Sequence, residues 1–491
     1  MKLREKLSAI FFKKEKKEPP IIAASFDAAS RSREAAKHWA GADSLAADAA
    51  LSPDVRRTII ARARYEAANN GYLCGILNTF ADDVVGTGPR LQLSIANTNS
   101  KWSTEQEAYL ENREKRWKKW TDAVGLSTIL TIARRSKAQD GEVFIRKVIN
   151  PKLPNPVKLD LTLYEAEQVG SSTMIMTPEY HSNGTPKEVD GIIYDPNGNP
   201  SSYRFWTIHP GSTGIANSII GDSYTVNARH VIHYANIVRP GQHRGLPEIA
   251  STLPIFNDLR RFTGAVLAAA ETAAEISFLL HTDRIPDEDN ENITPGLIVE
   301  FQRNSGVTLP EGWHVTQLKA EQPTSNHTDF VRTKIREAAR ALSMPLNVAL
   351  GDSSEYNYAS GRLDHQVYFR VIKKERTMIE HVILDDIIRE WENFDQLIHP
   401  EDYPDNITVE HAWMWDGFAH VDPAKEANAQ QIRLNSKTTT LAEECGADGK
   451  DYIRVIRQRA KEECIEREIR KKYGLPDSLD NITKGYDEDD K

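Results

Sequence analysis

NIVRPGQHRGLPEIASTLPIF, residues 236–256, sets three prolines, two glycines, two arginines and a histidine at the entry to an apolar helical run. A loop that cradles phosphate needs several backbone amides converging on one anion at a helix N-terminus. Pro240 and Pro247 donate none, so the stretch reads as a structural corner and not as a catalytic loop. Gly241 and Gly245 permit unusual backbone angles, and Pro247 marks a helix start. Arg239 and Arg244 are placed to lock the turn to carboxylates or carbonyls.

On the N-terminal side of the corner, from about 140 to 235, short β-like runs alternate with Asn, Gly and Pro turns: EVFIRKVI, VKLDLTLYE, GIIYD, SYRFWTI and HVIHYANIV. They predict a β-rich layer. Before it, residues 31–82 predict two or three helices, with Ser52 as N-cap, Pro53 at the first helical position and Gly71 as a stop. Between 101 and 133, Tyr109, Arg113, Trp117, Trp120 and Val124 share one helical stripe. Base stacking is one use of such a stripe. A Trp face packed on a core, with Lys and Arg at its edge, is the better reading.

After the corner, residues 246–281 predict a helix that Pro254 kinks or restarts. An acidic loop follows, then the β-like runs GLIVEF and WHVTQL, and helix returns at 328–343. SMPLNVALGDSSEYNYASG predicts a polar loop, and Arg362 to Trp391 a long helix. In ITVEHAWMWDGF, the residues Ile407, Val409, His411, Trp413 and Trp415 fall on one strand face. The C-terminal part is helical and ends in the acidic YDEDDK. The fold class is therefore α+β, mostly helical.

The chain has 491 residues, enough for several cores, with 40% hydrophobic and 27% charged residues, the composition of a folded globular protein. A formal net charge of −9 opposes tight phosphate binding. Cys74, Cys445 and Cys464 form no CxxC pair, which argues against a zinc site or a disulfide framework. The basic start, MKLREKLSAIFFKKEKKEPP, carries too short an apolar stretch for a signal h-region and reads as a cytoplasmic arm. The apolar window at 262–281 contains Glu271 and Glu275, so no membrane span or membrane partner is expected.

No phosphate loop, HExxH, GxSxG elbow or dinucleotide fingerprint is present. His230 and His233 point to opposite faces of a strand and read as packing or hydrogen-bonding residues. PDSLDNITK at 476–484 is only a loose match to a nuclease carboxylate set. The expectation is no catalytic residue, no metal and no cofactor.

Four pieces in order carry a family resemblance: NNGYLCGILNTFADDVVGTGPRLQ, VIHYANIVRPGQHRGLPEIASTLPIFNDLRRFTGAVLAAAETAA, LSMPLNVALGDSSEYNYASGR and WDGFAHVDPAKEANA. The chain resembles the lambda-like portal proteins of tailed bacteriophages from about residue 30 to 470. The resemblance implies a closed ring of about twelve copies with heterologous contacts at one capsid vertex. Double-stranded DNA would be packaged and ejected through it. Terminase, the head-tail connector and the major capsid or scaffold protein would be partners, with assembly in the host cytoplasm.

It also implies the parts of a portal fold: a basic arm at 1–30, a wing at 31–245, a first stem helix at 246–282, a clip at 283–325 and a second stem helix at 326–343. A tunnel loop at 344–362, a long helix and return strand of the wing at 363–419, and a helical crown with acidic tail at 420–491 complete it. Within this scheme Asn357, Tyr358, Ser360 and Arg362 are the tunnel-loop candidates to approach DNA, and Asp287, Glu288, Asp289 and Glu291 the clip candidates to dock the motor. A packaging nuclease or ATPase, and a non-portal head or neck scaffold, are the alternatives.

Overall fold

The computed structural model describes residues 32–95, 104–171, 179–212, 222–275, 279–282, 313–316, 326–354, 357–404, 408–418 and 423–475. The chain divides into a unit of residues 1–50 and a unit of residues 51–491. In the first, the Ser32 hydroxyl caps helix α1 (Arg33–His38) by accepting from Ala35 N, and α2 spans Ala47–Ala50.

The second unit opens with α3 (Pro53–Asn69) and α4 (Gly71–Val85). The break between them falls one residue before the expected Gly71. Asn70 takes an extended conformation, and its side chain accepts from Tyr72 N and Leu73 N, which makes it the N-cap of α4. After strand β1 (Arg90–Ile95) come α5 (Thr104–Val124) and α6 (Leu126–Asp140), joined by the left-handed Gly125. The predicted Trp stripe lies on α5 and is core: Trp117 and Trp120 are buried, and Trp117 packs against Trp120, Trp391 and Trp413 with ring centroids 5.0, 5.2 and 5.6 Å away.

Strand β2 (Glu142–Ile149) is the wall between two cores. It pairs antiparallel with β3 (Leu159–Tyr164) on one side and with β8 (Val231–Ala235) on the other. Alternation along the strand sends Val143 and Ile145 to the large helical core and Phe144 to a smaller one with Val169, Ile192 and Phe205. A strand buried on both faces fits the unbroken apolar run Val143–Phe144–Ile145 within EVFIRKVI. The smaller core covers a four-stranded antiparallel meander of β4 (Glu188–Val189), β5 (Ile192–Tyr194), β6 (Pro200–Trp206) and β7 (Ser223–Asn227).

The predicted helix at 246–282 is shorter in the structure. A 3-10 turn at Ala250–Thr252 leads into α7 (Leu253–Glu275), and β9 (Leu279–Thr282) pairs antiparallel with β10 (Trp313–Thr316). Pro247 and Pro254 lack the N–H that an interior helix turn needs, so the helix starts with Pro254 as its second residue. GLIVEF at 296–301 lies outside the described residues. Helix α8 (Asn326–Ala339) packs on α7 through Phe262 and Phe330, whose ring centroids are 4.2 Å apart.

The expected loop at 344–362 is partly helical. It contains α9 (Leu346–Leu350), and Tyr358 opens α10 (Tyr358–Ile379). Asn357, a favoured residue just outside a helix, accepts from Gly361 N through its carbonyl, and that bond begins the new helix. A π-helical turn, Glu380–Leu384, carries α10 into α11 (Asp385–Ile398). Strand β11 (Val409–Met414) then returns to pair with β1, and its His411 and Trp413 both hydrogen-bond Asp385. Ile407 lies outside the described residues. Helices α12 (Pro423–Asn435), α13 (Leu441–Ala447) and α14 (Tyr452–Lys472) complete a fold that is α+β and mostly helical. Among the described residues no helix is long and apolar enough to cross a membrane.

Candidate functional site

The corner at 236–256 is built on the junction between α6 and β2. Gly141 ends α6 with φ +89° and lies so close to the corner that an added Cβ would stand 2.5 Å from the Leu246 carbonyl carbon. A Cβ on Gly245 would stand 2.2 Å from the Gly141 carbonyl oxygen. Backbone bonds hold the approach: Asn236 N donates to Gly141 O at 2.8 Å, Leu246 N to Asn236 O at 3.1 Å and Glu248 N to Ala138 O at 3.0 Å. Within the loop, Gly241 adopts φ +72°, and the Gln242 side chain accepts from Val238 N and Arg239 N.

Behind the corner lies a fully buried carboxylate, Glu142, the first residue of β2. Its Oε1 faces Arg244 at 2.7 Å and Arg56 at 3.2 Å. Its Oε2 takes Gly245 N–H at 2.8 Å and lies 2.8 Å from His233 Nε2. Arg244 also donates to Ala166 O at 2.7 Å, Val169 O at 3.1 Å and Asp190 O. Asp190 pairs with both arginines, at 2.5 Å from Arg56 and 3.1 Å from Arg244. Burial alone would raise the Glu142 carboxyl, but Arg244, the His233 bond and Arg56 outweigh it and hold it well below the usual carboxylate range. Burial and the neighbouring Arg244 charge lower Arg56. Both oxygens of Glu142 are thus engaged by protein donors, and the cluster joins α3, β2, β8, the β4–β5 turn and the corner.

A second buried cluster ties the corner to α10. Arg134 donates to Glu248 at 2.7 Å and Lys137 to Glu375 at 2.6 Å, and Tyr234 also donates to Glu375. Beside it, Arg376 donates to the carbonyls of Val84, Asp416 and Asp83 at 2.8, 2.8 and 3.1 Å. Helix α10 is therefore fixed at its C-terminal end, while Arg362 and Leu363 near its start are exposed.

Of the corner residues named from sequence, Gly241, Arg244, Gly245 and Pro247 all take part in this geometry. Arg239 contributes its backbone to the turn with Gln242. Arg56, Glu142 and Asp190, which complete the cluster, carry no local sequence signal. Asn357 is exposed just before α10, and Tyr358, Ser360 and Arg362 belong to its first turns. Asp287, Glu288, Asp289, Glu291 and the 476–484 stretch lie outside the described residues. His233 is a hydrogen-bonding histidine, and His230 ends a 3-10 turn beside Arg229.

Among the described residues, one set with ligand-type atoms within 4.8 Å of one another is Glu165, Glu167 and His209. Arg64 already stands 3.2 Å from Glu165 and 3.0 Å from Glu167, supplying the positive charge a cation would bring.

No curated protein matches the chain. Among solved structures it is similar to the virion of a native gene transfer agent particle, at 13% identity and TM-score 0.47, over 80% of this chain and 93% of that one. The neck of an empty gene transfer agent particle gives 12% identity and TM-score 0.49 over 80% and 93%. A HK97-family phage portal protein from Corynebacterium diphtheriae gives 12% identity and TM-score 0.26 over 77% and 97%. The family described as phage portal protein, lambda family, matches residues 32–376.

Proposed function

This chain belongs to the lambda family of phage portal proteins, and we propose from that membership that it closes into a ring of about twelve copies through heterologous contacts. The ring sits at one capsid vertex, conducts double-stranded DNA inward during packaging and outward during ejection, and offers surfaces to the terminase motor, the head-tail connector and the capsid. The carrying observation is the family match over residues 32–376. The function is conduction and docking, without catalysis.

In this reading the layers before the corner are the wing, α7 and α8 the stem, the β9–β10 pair part of the clip, and the C-terminal helices the crown. The buried ion-pair cluster at Glu142 suits a part that must stay rigid while DNA moves past. A net charge of −9 suits a conduit, because a channel with many Lys and Arg contacts to phosphate would hold its cargo. Asn357, Tyr358, Ser360 and Arg362 approach the duplex backbone from the start of α10. Asp287, Glu288, Asp289 and Glu291 meet a basic surface of the motor.

The test is the mass of the purified native assembly, with class averages from electron micrographs. A ring with a central hole is expected, and a monomer or an isologous dimer at every concentration refutes the reading.

A further inference from the structure

The core fixes which side of helix α10 looks outward. Tyr368, Ile372 and Ile379 are buried, and Arg376 is tied to three backbone carbonyls. On the opposite side stand four exposed cations, Arg362, Arg370, Lys373 and Lys374. At ~100° per residue they lie at about 0°, 80°, 20° and 120° around the axis, within one third of the helix circumference.

Nothing in the chain neutralises them. The helix holds two acids. Glu375 is engaged by Lys137 and Tyr234, and Asp364 lies about 200° round from Arg362, outside the arc. No acid stands three or four positions from any of the four cations. Among the described residues none of them pairs with a carboxylate; Arg370 reaches only the Gln366 carbonyl, at 3.4 Å. Exposed cations on other long helices do have such partners: Lys115 with Glu111 and Lys118 with Asp122 on α5, and Arg467 with Glu463 on α14. Helix α10 instead sets like charges together, Arg370 three positions from Lys373 and four from Lys374, spacings at which they repel. In a chain of formal net charge −9 such a face is an exception, and an outside anion relieves its repulsion.

The spread of the charges selects the anion. From Arg362 to Lys374 is about 18 Å of helix, which no single small anion spans. A DNA duplex carries about one negative charge per 1.7 Å of its axis, hence about ten over that length. Gln366 and Thr377 lie exposed within the same arc and add donors for phosphate oxygens. Leu363 and Val367 edge the arc at about 100° and 140°, one on each side of Lys374, whose long stem carries its ammonium past them.

We propose that the outer face of α10 is a track for the phosphate backbone of duplex DNA, in which Arg370, Lys373 and Lys374 continue the contact that Arg362 begins. The inference rests on the portal reading for the identity of the polyanion. It gives an otherwise acidic conduit one place per copy that holds DNA at rest, and holds every sequence alike because phosphate contacts carry no base information.

The test is the binding of a short fluorescent duplex to the purified full-length protein over a range of salt, comparing wild type with the triple variant Arg370→Gln, Lys373→Gln, Lys374→Gln. All three side chains are exposed, so the fold is retained, and native mass is measured on the same samples. Each phosphate contact contributes about 0.9 to the slope of log K against log salt, so the slope becomes shallower by about 2.7 where one copy touches the duplex. Two duplexes of unrelated sequence give the same change. A control triple on α14, Arg457→Gln, Arg459→Gln, Lys461→Gln, removes the same charge from exposed positions and leaves the slope as it was. An unchanged slope in the α10 variant, an equal loss in the α14 variant, or no binding by wild type at low salt overturns the track. A wild-type ring that falls apart on the α10 change assigns this face to the neighbouring copy and overturns it as well. If wild type never forms a ring, the ring reading fails, and the slope comparison, which needs only the folded chain, still decides the track.

Discussion

Replacing Glu142 by Gln keeps the side chain's size and still offers an acceptor to Gly245 N, but it removes the charge that faces two guanidinium groups at 2.7 and 3.2 Å. Breaking a buried ion pair from one side costs about 3–5 kcal/mol, because the partner charge is left uncompensated. Here Asp190 remains within 2.5 Å of Arg56 and 3.1 Å of Arg244, so the low end of that range, about 3 kcal/mol, is expected. The assay is native-state hydrogen exchange across residues 236–249, which reads local opening without requiring a two-state protein. At ~1.4 kcal/mol per factor of ten, protection there falls by about 100-fold. The pH dependence has a definite sign. A carboxyl whose folded pKa is depressed contributes stability that is complete above its unfolded value, near ~4.3 for Glu, and is lost as pH falls toward the folded value. The difference between wild type and Glu142→Gln is therefore constant at neutral pH and shrinks below about pH 4. A loss of protection smaller than about threefold at neutral pH, below ~0.7 kcal/mol, refutes the claim that this carboxylate holds the corner.

Three further outcomes are expected. Gly141→Ala combines a positive φ with a Cβ 2.5 Å from backbone, and should cost more than about 3 kcal/mol; soluble yield and thermal midpoint check it, and wild-type behaviour counts against the close approach described. Tyr358→Ala with Arg362→Ala should leave ring mass unchanged while lowering the DNA retained in filled particles, and normal packaging and retention would remove these residues from the channel. Neutralising Asp287, Glu288, Asp289 and Glu291 to Asn and Gln should weaken capture of the motor subunit in a pull-down, with a larger effect at low salt than at high; unchanged capture at both ends the docking assignment.

The corner was legible because its signals are local. Proline removes donors and glycine permits close approach wherever they stand, so residues 236–256 declared their geometry without their neighbours. The carboxylate that the corner locks onto was not legible. Glu142, Arg56 and Asp190 are separated by 86 residues in one case and 134 in another, and no periodicity links charges that meet only after strands have paired. The Trp stripe of α5 was readable from its spacing alone. The start of α10 was misread because Asn357, Ser353 and Ser354 serve turns and helix caps equally well, and only the carbonyl bond from Asn357 to Gly361 separates the two. Strand β7 is a five-residue edge strand, too short for its alternation to stand out.

The tryptophan cluster also dictates a timetable for synthesis. Trp117 and Trp120 leave the ribosome early, but Trp391 and Trp413, which pack against Trp117, follow about 270 to 300 residues later. At ~5–20 residues per second that is a wait of roughly 15–60 s. The Arg113–Glu392 and Arg116–Asp395 pairs span 279 residues each and impose the same delay. Trp120 gains its Leu159 carbonyl partner only 39 residues later, but throughout the longer interval the side of Trp117 that meets Trp391 and Trp413 lacks these two partners and has to be shielded by a holding chaperone or by the chain's own temporary collapse. In a chain stalled near residue 390 that face would still be open.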